Sequence, residues 1–248
     1  MYQPLNKPYV LSIAGLDPTA GAGILADVKT FAATGSYGFA VATCLTAQTE
    51  DTCEHVQWLS VKEITTQLKP LLENYPIGYT KLGAMKDMNM AAAIIDYVLS
   101  IQPDMKFLLD PILSTSSGKE FMKLNGDVKT LLSKVYLITP NYPEVQMLAN
   151  HQNALEAAMI LSMHTHVFLK GGHSNEEALV DRLFVQGDMT EFPKERNPII
   201  KKHGSGCVLS SAMASFLAQG NTLEEAGEKA ANYMSGYFSS TETKLGLH

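Results

Sequence analysis

The feature that most constrains this chain is a recurring unit: a short apolar run, an exit through polar or glycine residues, then a segment with helical spacing. Residues 9–14 (YVLSIA), 40–47 (AVATCLTA), 106–109 (KFLL), 135–139 (VYLIT) and 167–169 (VFL) are short and rich in β-branched or aromatic residues. They read as strands buried on both faces. Between them Ile24, Leu25, Val28, Phe31 and Ala32 repeat at helical spacing, with Gly35 as the stop. Met88, Ala92, Ile95 and Leu99 keep the same period, as do Leu209, Met213, Phe216 and Leu217, and then Leu223, Ala226, Ala230 and Met234. This alternation predicts a mainly parallel sheet with helices on both faces, an α/β fold. Two strand-like runs flank Gly187-Asp188 within residues 178–192 and predict a β-hairpin. Residues 50–75 are the least legible, because Pro70 interrupts a helical pattern.

The residues at which these runs exit are informative. They are Gly15-Leu16-Asp17, Gln48, Asp110-Pro111, Pro140-Asn141 and Lys170-Gly171-Gly172. Open parallel sheets bind ligands outside the carboxyl ends of their strands. Asp17, Gln48, Asp110, Asn141 and Lys170 are therefore expected to rim one site. Any single polar exit is unremarkable, but an acid and a lysine ending apolar strands are costly to bury unpaired.

The strongest local signal is His203-Gly204-Ser205-Gly206-Cys207, with an apolar helix directly after it. Glycines before a helix leave N–H groups uncovered, and the helix dipole adds positive potential, which suits a phosphoryl group. Cys207 at that helix start is expected to have a lowered thiol pKa; a glycine turn before a buried cysteine is the plainer reading. A second glycine cluster, 17–23 (DPTAGAG), mimics a dinucleotide fingerprint through Gly21, Gly23 and Ala26. The first glycine stands too far from the strand, and no acid comes at the expected distance, so a dehydrogenase is disfavoured. There is no G-x-x-x-x-G-K-[ST] stretch. Asn141 and Glu144, three apart after a strand, suit either a hydrated Mg²⁺ ion or an N-cap with a first-turn acid.

A length of 248 residues suits one domain, spanning 1–248. With net charge −6 and scattered lysines there is no basic stripe for nucleic acid. Three cysteines form neither a CxxC pair nor an even framework, which suits a reducing compartment. The first residues lack a signal-peptide pattern, and no run approaches the roughly 18 apolar residues of a membrane span, so a cytoplasmic protein is expected. His55, His151, His164 and His166 read as surface or core residues, and His203 is given no role beyond adjoining the glycine loop.

The stretches 13–31 (IAGLDPTAGAGILADVKTF), 45–49 (LTAQT), 81–85 (KLGAM), 108–113 (LLDPIL), 137–144 (LITPNYPE), 169–173 (LKGGH) and 203–207 (HGSGC) together resemble the hydroxymethylpyrimidine/phosphomethylpyrimidine kinases of thiamine synthesis, within the ribokinase-like family. The resemblance runs from residue 9 to about 240. It implies a three-layer αβα sandwich, commonly a homodimer, that uses ATP and Mg²⁺, with a monovalent cation as an open question. It implies transfer of the γ-phosphoryl group to the hydroxymethyl group of a small pyrimidine, with the monophosphate as a second acceptor. Gly204, Ser205 and Gly206 would then form the anion hole, and Cys207 would occupy the catalytic-base position. Asp110 and Glu144 would hold magnesium, with Asn141 and Lys170 at the ATP phosphates. Gln48 would hydrogen-bond the ring; Gly15, Ala22, Ala84 and Ile112 would line its pocket, and Asp27, of the same motif, is grouped with them. Thr49 stands where the family usually has asparagine, and Ala84 where methionine is common. Residues 114–118 (STSSG) lack the usual lysine, and the chain ends at LGLH without a Gly-x-Gly-Pro tail, which bears on closure of the active site. A pyridoxal kinase on the same fold is the main alternative, with a nearby thiol able to add to the aldehyde. A non-catalytic relative is the remote one, and it predicts erosion of a catalytic set that is intact here.

Overall fold

Residues 6–113, 121–173, 179–194 and 201–248 are described by a computed structural model of the chain. The first half runs β1 (Tyr9–Leu16), α1 (Gly23–Ala33), β2 (Tyr37–Gln48), β3 (Cys53–Trp58), α2 (Val61–Asn74), β4 (Tyr79–Leu82), α3 (Met88–Ile101) and β5 (Lys106–Leu109). The second half runs α4 (Val128–Leu132), β6 (Leu137–Ile138), α5 (Tyr142–Ala149), α6 (Ala154–Ser162), β7 (His166–Leu169), β8 (Leu179–Val185), β9 (Asp188–Lys194), α7 (Ser205–Ala218) and α8 (Leu223–Ser239).

Among the described residues these strands form one sheet in the order β3-β2-β1-β4-β5-β6-β7-β8-β9. The six strands from β2 to β7 pair in parallel. An antiparallel β3 closes one edge, and the β8–β9 hairpin closes the other. The hairpin turns at Gln186-Gly187, both with positive φ, as a tight two-residue turn requires. Chain order reverses between β1 and β4, so a crevice opens beyond their carboxyl ends.

Alternation along each strand sorts the core into two layers. Leu11 and Ile13 of β1, Phe107 and Leu109 of β5, and Val167 and Leu169 of β7 pack on the side of α2 to α6. Val10, Leu108 and Phe168 pack on the side of α1, α7 and α8. The three-layer αβα sandwich expected from the family resemblance is therefore the observed architecture.

Local expectations need four corrections. The block 50–75 holds an antiparallel strand, β3, and a helix, α2, that runs through Pro70. Ser60 and Glu63 start that helix with a reciprocal capping box. The strand YTKL (β4) was not anticipated and lies in the middle of the sheet. The end of β2 is not buried on both faces, since Leu45 and Ala47 are exposed. On α3 the buried stripe is Met88, Ala91, Ile94, Ile95 and Val98, while Ala92 and Leu99 are only half-buried.

One polar contact joins four elements inside this core. Lys81 of β4 places its ammonium 3.0 and 2.9 Å from the two carboxylate oxygens of Asp27 on α1, with both side chains fully buried. Ser12 of β1 and Ser211 of α7 each donate a hydroxyl to the same carboxylate. Burial opposes the lysine's charge, but Asp27 overcomes this and holds Lys81 charged. Removing one partner of such a pair typically costs about 3–5 kcal/mol, whereas replacing both is much milder. Lys81→Met should therefore lose stability on that scale in chemical denaturation, and Asp27→Asn/Lys81→Met should regain most of it. Equal losses in the two variants would show that the pair is not coupled.

Candidate functional site

A cavity of about 570 Å³ lies over the carboxyl ends of the parallel strands. All five strand-exit residues, Asp17, Gln48, Asp110, Asn141 and Lys170, line it. So do Gly15, Ala22, Ala84, Ile112, Glu144, Gly204, Ser205, Gly206 and Cys207. Asp27 does not: it lies beneath the cavity in the ion pair with Lys81, which corrects its grouping with the pocket residues. The STSSG stretch falls outside the described residues.

The two glycine loops meet here because side chains would keep them apart. Gly204 is the N-cap of α7 at φ +70, and a Cβ there would sit 2.0 Å from the carbonyl oxygen of Gly21. Gly23, at φ +60, would bring a Cβ to 2.1 Å from the Gly15 carbonyl oxygen. Neither α1 nor α7 has a side-chain cap or an acid in its first turn. Their first-turn N–H groups and dipoles therefore leave positive potential at the cavity, which suits an anion.

Opposite the α7 loop, Lys170 Nζ lies 2.8 Å from Asp110 Oδ1 and 3.9 Å from Glu144 Oε2. Burial alone would raise the Asp110 carboxyl, but Lys170 and Lys81 outweigh it and hold it below the usual range. For Glu144 burial wins, aided by Asp110, and pushes its carboxyl up to about 7 against the pull of Lys170. Both readings of Asn141 and Glu144 bear on the structure. The two form a capping box, with Asn141 N–H donating to Glu144 Oε2 and Glu144 N–H donating to Asn141 Oδ1. Among the described residues nothing donates to Asp110 Oδ2 or Glu144 Oε1, so each acid keeps an oxygen for a hard cation.

Cys207 corrects the expected lowered thiol. Burial pushes it up to about 11, and the nearby Lys81 only partly opposes that. Gly206 precedes it, and a Cβ at 206 would come 3.2 Å from Lys170 Nζ, so the loop backbone closes directly onto the lysine.

Residues 17–247 match the family model described as phosphomethylpyrimidine kinase. The chain belongs to that family.

The hydroxymethylpyrimidine/phosphomethylpyrimidine kinase of Staphylococcus aureus MRSA252 is 31% identical over 242 residues, covering 92% of this chain and 87% of that protein. The crystal structure of phosphomethylpyrimidine kinase from Clostridium difficile 630 aligns with a TM-score of 0.80 at 30% identity, covering 92% of this chain and 98% of that one. The pyridoxal kinase of Staphylococcus aureus, solved with AMP-PCP and pyridoxal, aligns with a TM-score of 0.81 at 25% identity, covering 97% and 92%. Membership of the phosphomethylpyrimidine kinase family makes the protein a phosphotransferase.

Motif reading passed over several residues of this cavity. His203 Nε2 lies 2.8 Å from Asp17 Oδ2, and Thr19 and the N–H of Ala22 donate to the same carboxylate. Burial would raise the Asp17 carboxyl, but hydrogen bonds from His203, Gln48 and Thr19 lower it to about 2. This contact ties one glycine loop to the other. Lys202 is buried, and its ammonium donates to Thr241 O, Thr241 Oγ1 and Thr243 O at 2.6–2.7 Å. Phe121 forms part of the cavity wall. Only a strand-exit acid and a histidine beside a glycine loop were visible locally, and their pairing spans the whole chain.

Because the folded Asp17 carboxyl is held below its ordinary value of 3.8, it stabilises the fold above that pH. That stability is lost as pH falls from there through about 2. Asp17→Asn should cost about 2 kcal/mol in denaturation at pH 7 and progressively less toward pH 2. An equal loss at both pH values would remove the charge from the account.

Proposed function

We propose that this kinase transfers the γ-phosphoryl group of ATP to the hydroxymethyl group of 4-amino-5-hydroxymethyl-2-methylpyrimidine, and to its monophosphate, in thiamine synthesis. The observation that carries the reading is a cavity in which two uncapped helix starts face Lys170, Asp110 and Glu144, with Gln48 beside Asp17 in the same lining. Family membership and the solved neighbour bound to AMP-PCP support the use of ATP.

Phosphoryl transfer passes through a loose transition state, so catalysis rests on positioning and charge stabilisation. Gly204, Ser205 and Gly206 present N–H groups to the transferring phosphoryl oxygens. Lys170 reaches the phosphates, and Asn141 stands beside them at the start of α5. Asp110 and Glu144 would hold magnesium through their free oxygens; when bound, the ion neutralises phosphate charge. Gln48 orients the ring by its amide. Cys207, a neutral thiol at physiological pH, accepts a hydrogen bond from the substrate hydroxyl and aims it, and the proton passes late to an oxygen of the transferred phosphoryl group as the new P–O bond forms and the bond to ADP breaks.

The same reading makes the chain one domain acting as a cytoplasmic homodimer. The continuous sheet and the three free thiols are in keeping with it. No helix among the described residues is long and apolar enough to cross a membrane. The likeness to a pyridoxal kinase favours pyridoxal as the second reading. A thiol adding to its aldehyde has little support, since burial pushes Cys44 up to about 12 and Cys207 up to about 11.

ADP release with Mg-ATP, measured against the pyrimidine alcohol, its monophosphate, pyridoxal and pyridoxine, tests the proposal. Turnover mainly on the pyrimidines is expected. Turnover mainly on pyridoxal would transfer the protein to the second reading, and silence on all four would mean a non-catalytic relative. Cys207→Ala should lower kcat by roughly tenfold, the scale of one neutral hydrogen bond, while KM for the alcohol moves little. A change confined to KM would contradict its placement.

A further inference from the structure

The ring end of the cavity has a wall built by an element that motif reading did not find. The Phe121 N–H donates to Leu113 O at 2.9 Å, which brings the chain back beside the exit of β5. There Phe121 is buried and packs in one cluster with Ala84 and Cys44, flanked by Ile112, Val56 and Trp58. The Trp58 ring, on the edge strand β3, stands 5.6 Å from the Phe121 ring at 70°, an edge-to-face brace. Gly15 crowds the same corner, since a Cβ on it would reach 2.8 Å from Cys44 Sγ and 3.5 Å from Ala84 Cβ. The volume available at position 84 and the placement of the Phe121 ring are thus linked.

We infer that Phe121, braced by Trp58 and given room by the small side chain of Ala84, is the specificity-determining wall against which the flat ring of the substrate packs. Phe121, Ala84, Ile112, Gly15 and Gln48 all line the cavity. An aromatic face offers a planar heteroaromatic ring a large contact with a preferred offset or edge geometry, while Gln48 supplies the polar handle. The ligand class is a flat six-membered nitrogen heterocycle with a hydroxymethyl arm. A longer side chain at 84 would compete with the phenyl ring for one space, so the two positions should not act independently. This inference rests on the reading of the cavity as the site for a pyrimidine alcohol.

Trp58 is the only tryptophan in the chain, so its fluorescence reports on the wall without catalysis. Titration of 4-amino-5-hydroxymethyl-2-methylpyrimidine without nucleotide should give a saturable change. Phe121→Ala should weaken binding roughly tenfold, with the loss in turnover falling on KM rather than kcat. Phe121→Leu, near in volume and apolar, guards against misfolding and should weaken it less. Ala84→Met alone should also weaken binding, whereas Ala84→Met/Phe121→Leu should recover to within about threefold of the parent, a non-additive result. Binding by the parent with additive losses in the cycle would overturn the wall and leave the proposed substrate standing. Non-additive losses seen with pyridoxal but no response to the pyrimidine would keep the wall and overturn the substrate. No saturable response to either ring would overturn both.

Discussion

The arrangement of this site depends on a buried ion pair that never touches the cavity. Asp27 stands one turn into α1 after Gly23, and Ser211 stands one turn into α7 after Cys207. Both helices thereby reference their glycine-bearing starts to the same carboxylate, which Lys81 of β4 neutralises and Ser12 of β1 completes. Two charges taken from water are tolerated only when their geometry is good and the remaining lone pairs are filled. Here each carboxylate oxygen receives the lysine and one hydroxyl. An apolar core would leave α1 and α7 free to slide along the sheet. A single buried acid with three donors does not, and the two glycine-bearing helix starts inherit their placement from that.

The charges above it form a graded stack. Lys81 lies lowest, Asp110 lies between it and Lys170, and Glu144 lies at the rim. The carboxyl between two cations is held ionised, and the one on the rim is pushed up by burial and by its acidic neighbour. In the proposed reaction a phosphate chain with its cation would enter where the stack carries both the Lys170 ammonium and carboxylate oxygens without donors. Preorganised charge of this kind needs no reorganisation during transfer. On the proposed reading a thiol would be sufficient beside the hydroxyl, because little base strength is asked of it.

What the chain reveals locally and what it hides reflect a physical division. Strand exits and glycine loops were legible because each is short and has its own backbone reason: a buried strand must end in something polar, and a helix start must leave N–H groups open. Residues 53–58 hid β3, since an edge strand that is half exposed carries no continuous apolar run. Pro70 suggested a break, yet it lies on the solvent face of α2, where water can take the carbonyl it leaves unbonded. The Cys207 thiol departs from expectation because a helix start alone argues for lowering it, whereas burial, which only the fold reveals, outweighs that. Phe121 gave no sign at all, because its meaning comes from Trp58 and Ala84, which are distant in sequence and adjacent only in the fold.

The α7 loop shows how a flexible sequence can be held still. Its glycines give it freedom that would cost catalytic precision if nothing restrained them. Restraint comes from side chains on both flanks. In front, His203 joins the carboxylate of Asp17 across the cavity floor. Behind, the Lys202 ammonium binds Thr241 and Thr243, while the His203 N–H donates to Lys244 O. Lys244 then pairs with Asp51 on the turn between β2 and β3, beyond the Gln48 side of the cavity. Buried donors thus hold the loop to the segment 241–245, whereas the exposed Lys244–Asp51 pair adds only a weak link to the β2–β3 turn. The placement of the α7 loop therefore rests on what is buried, the Lys202 ammonium behind it and the Asp17–His203 contact in front.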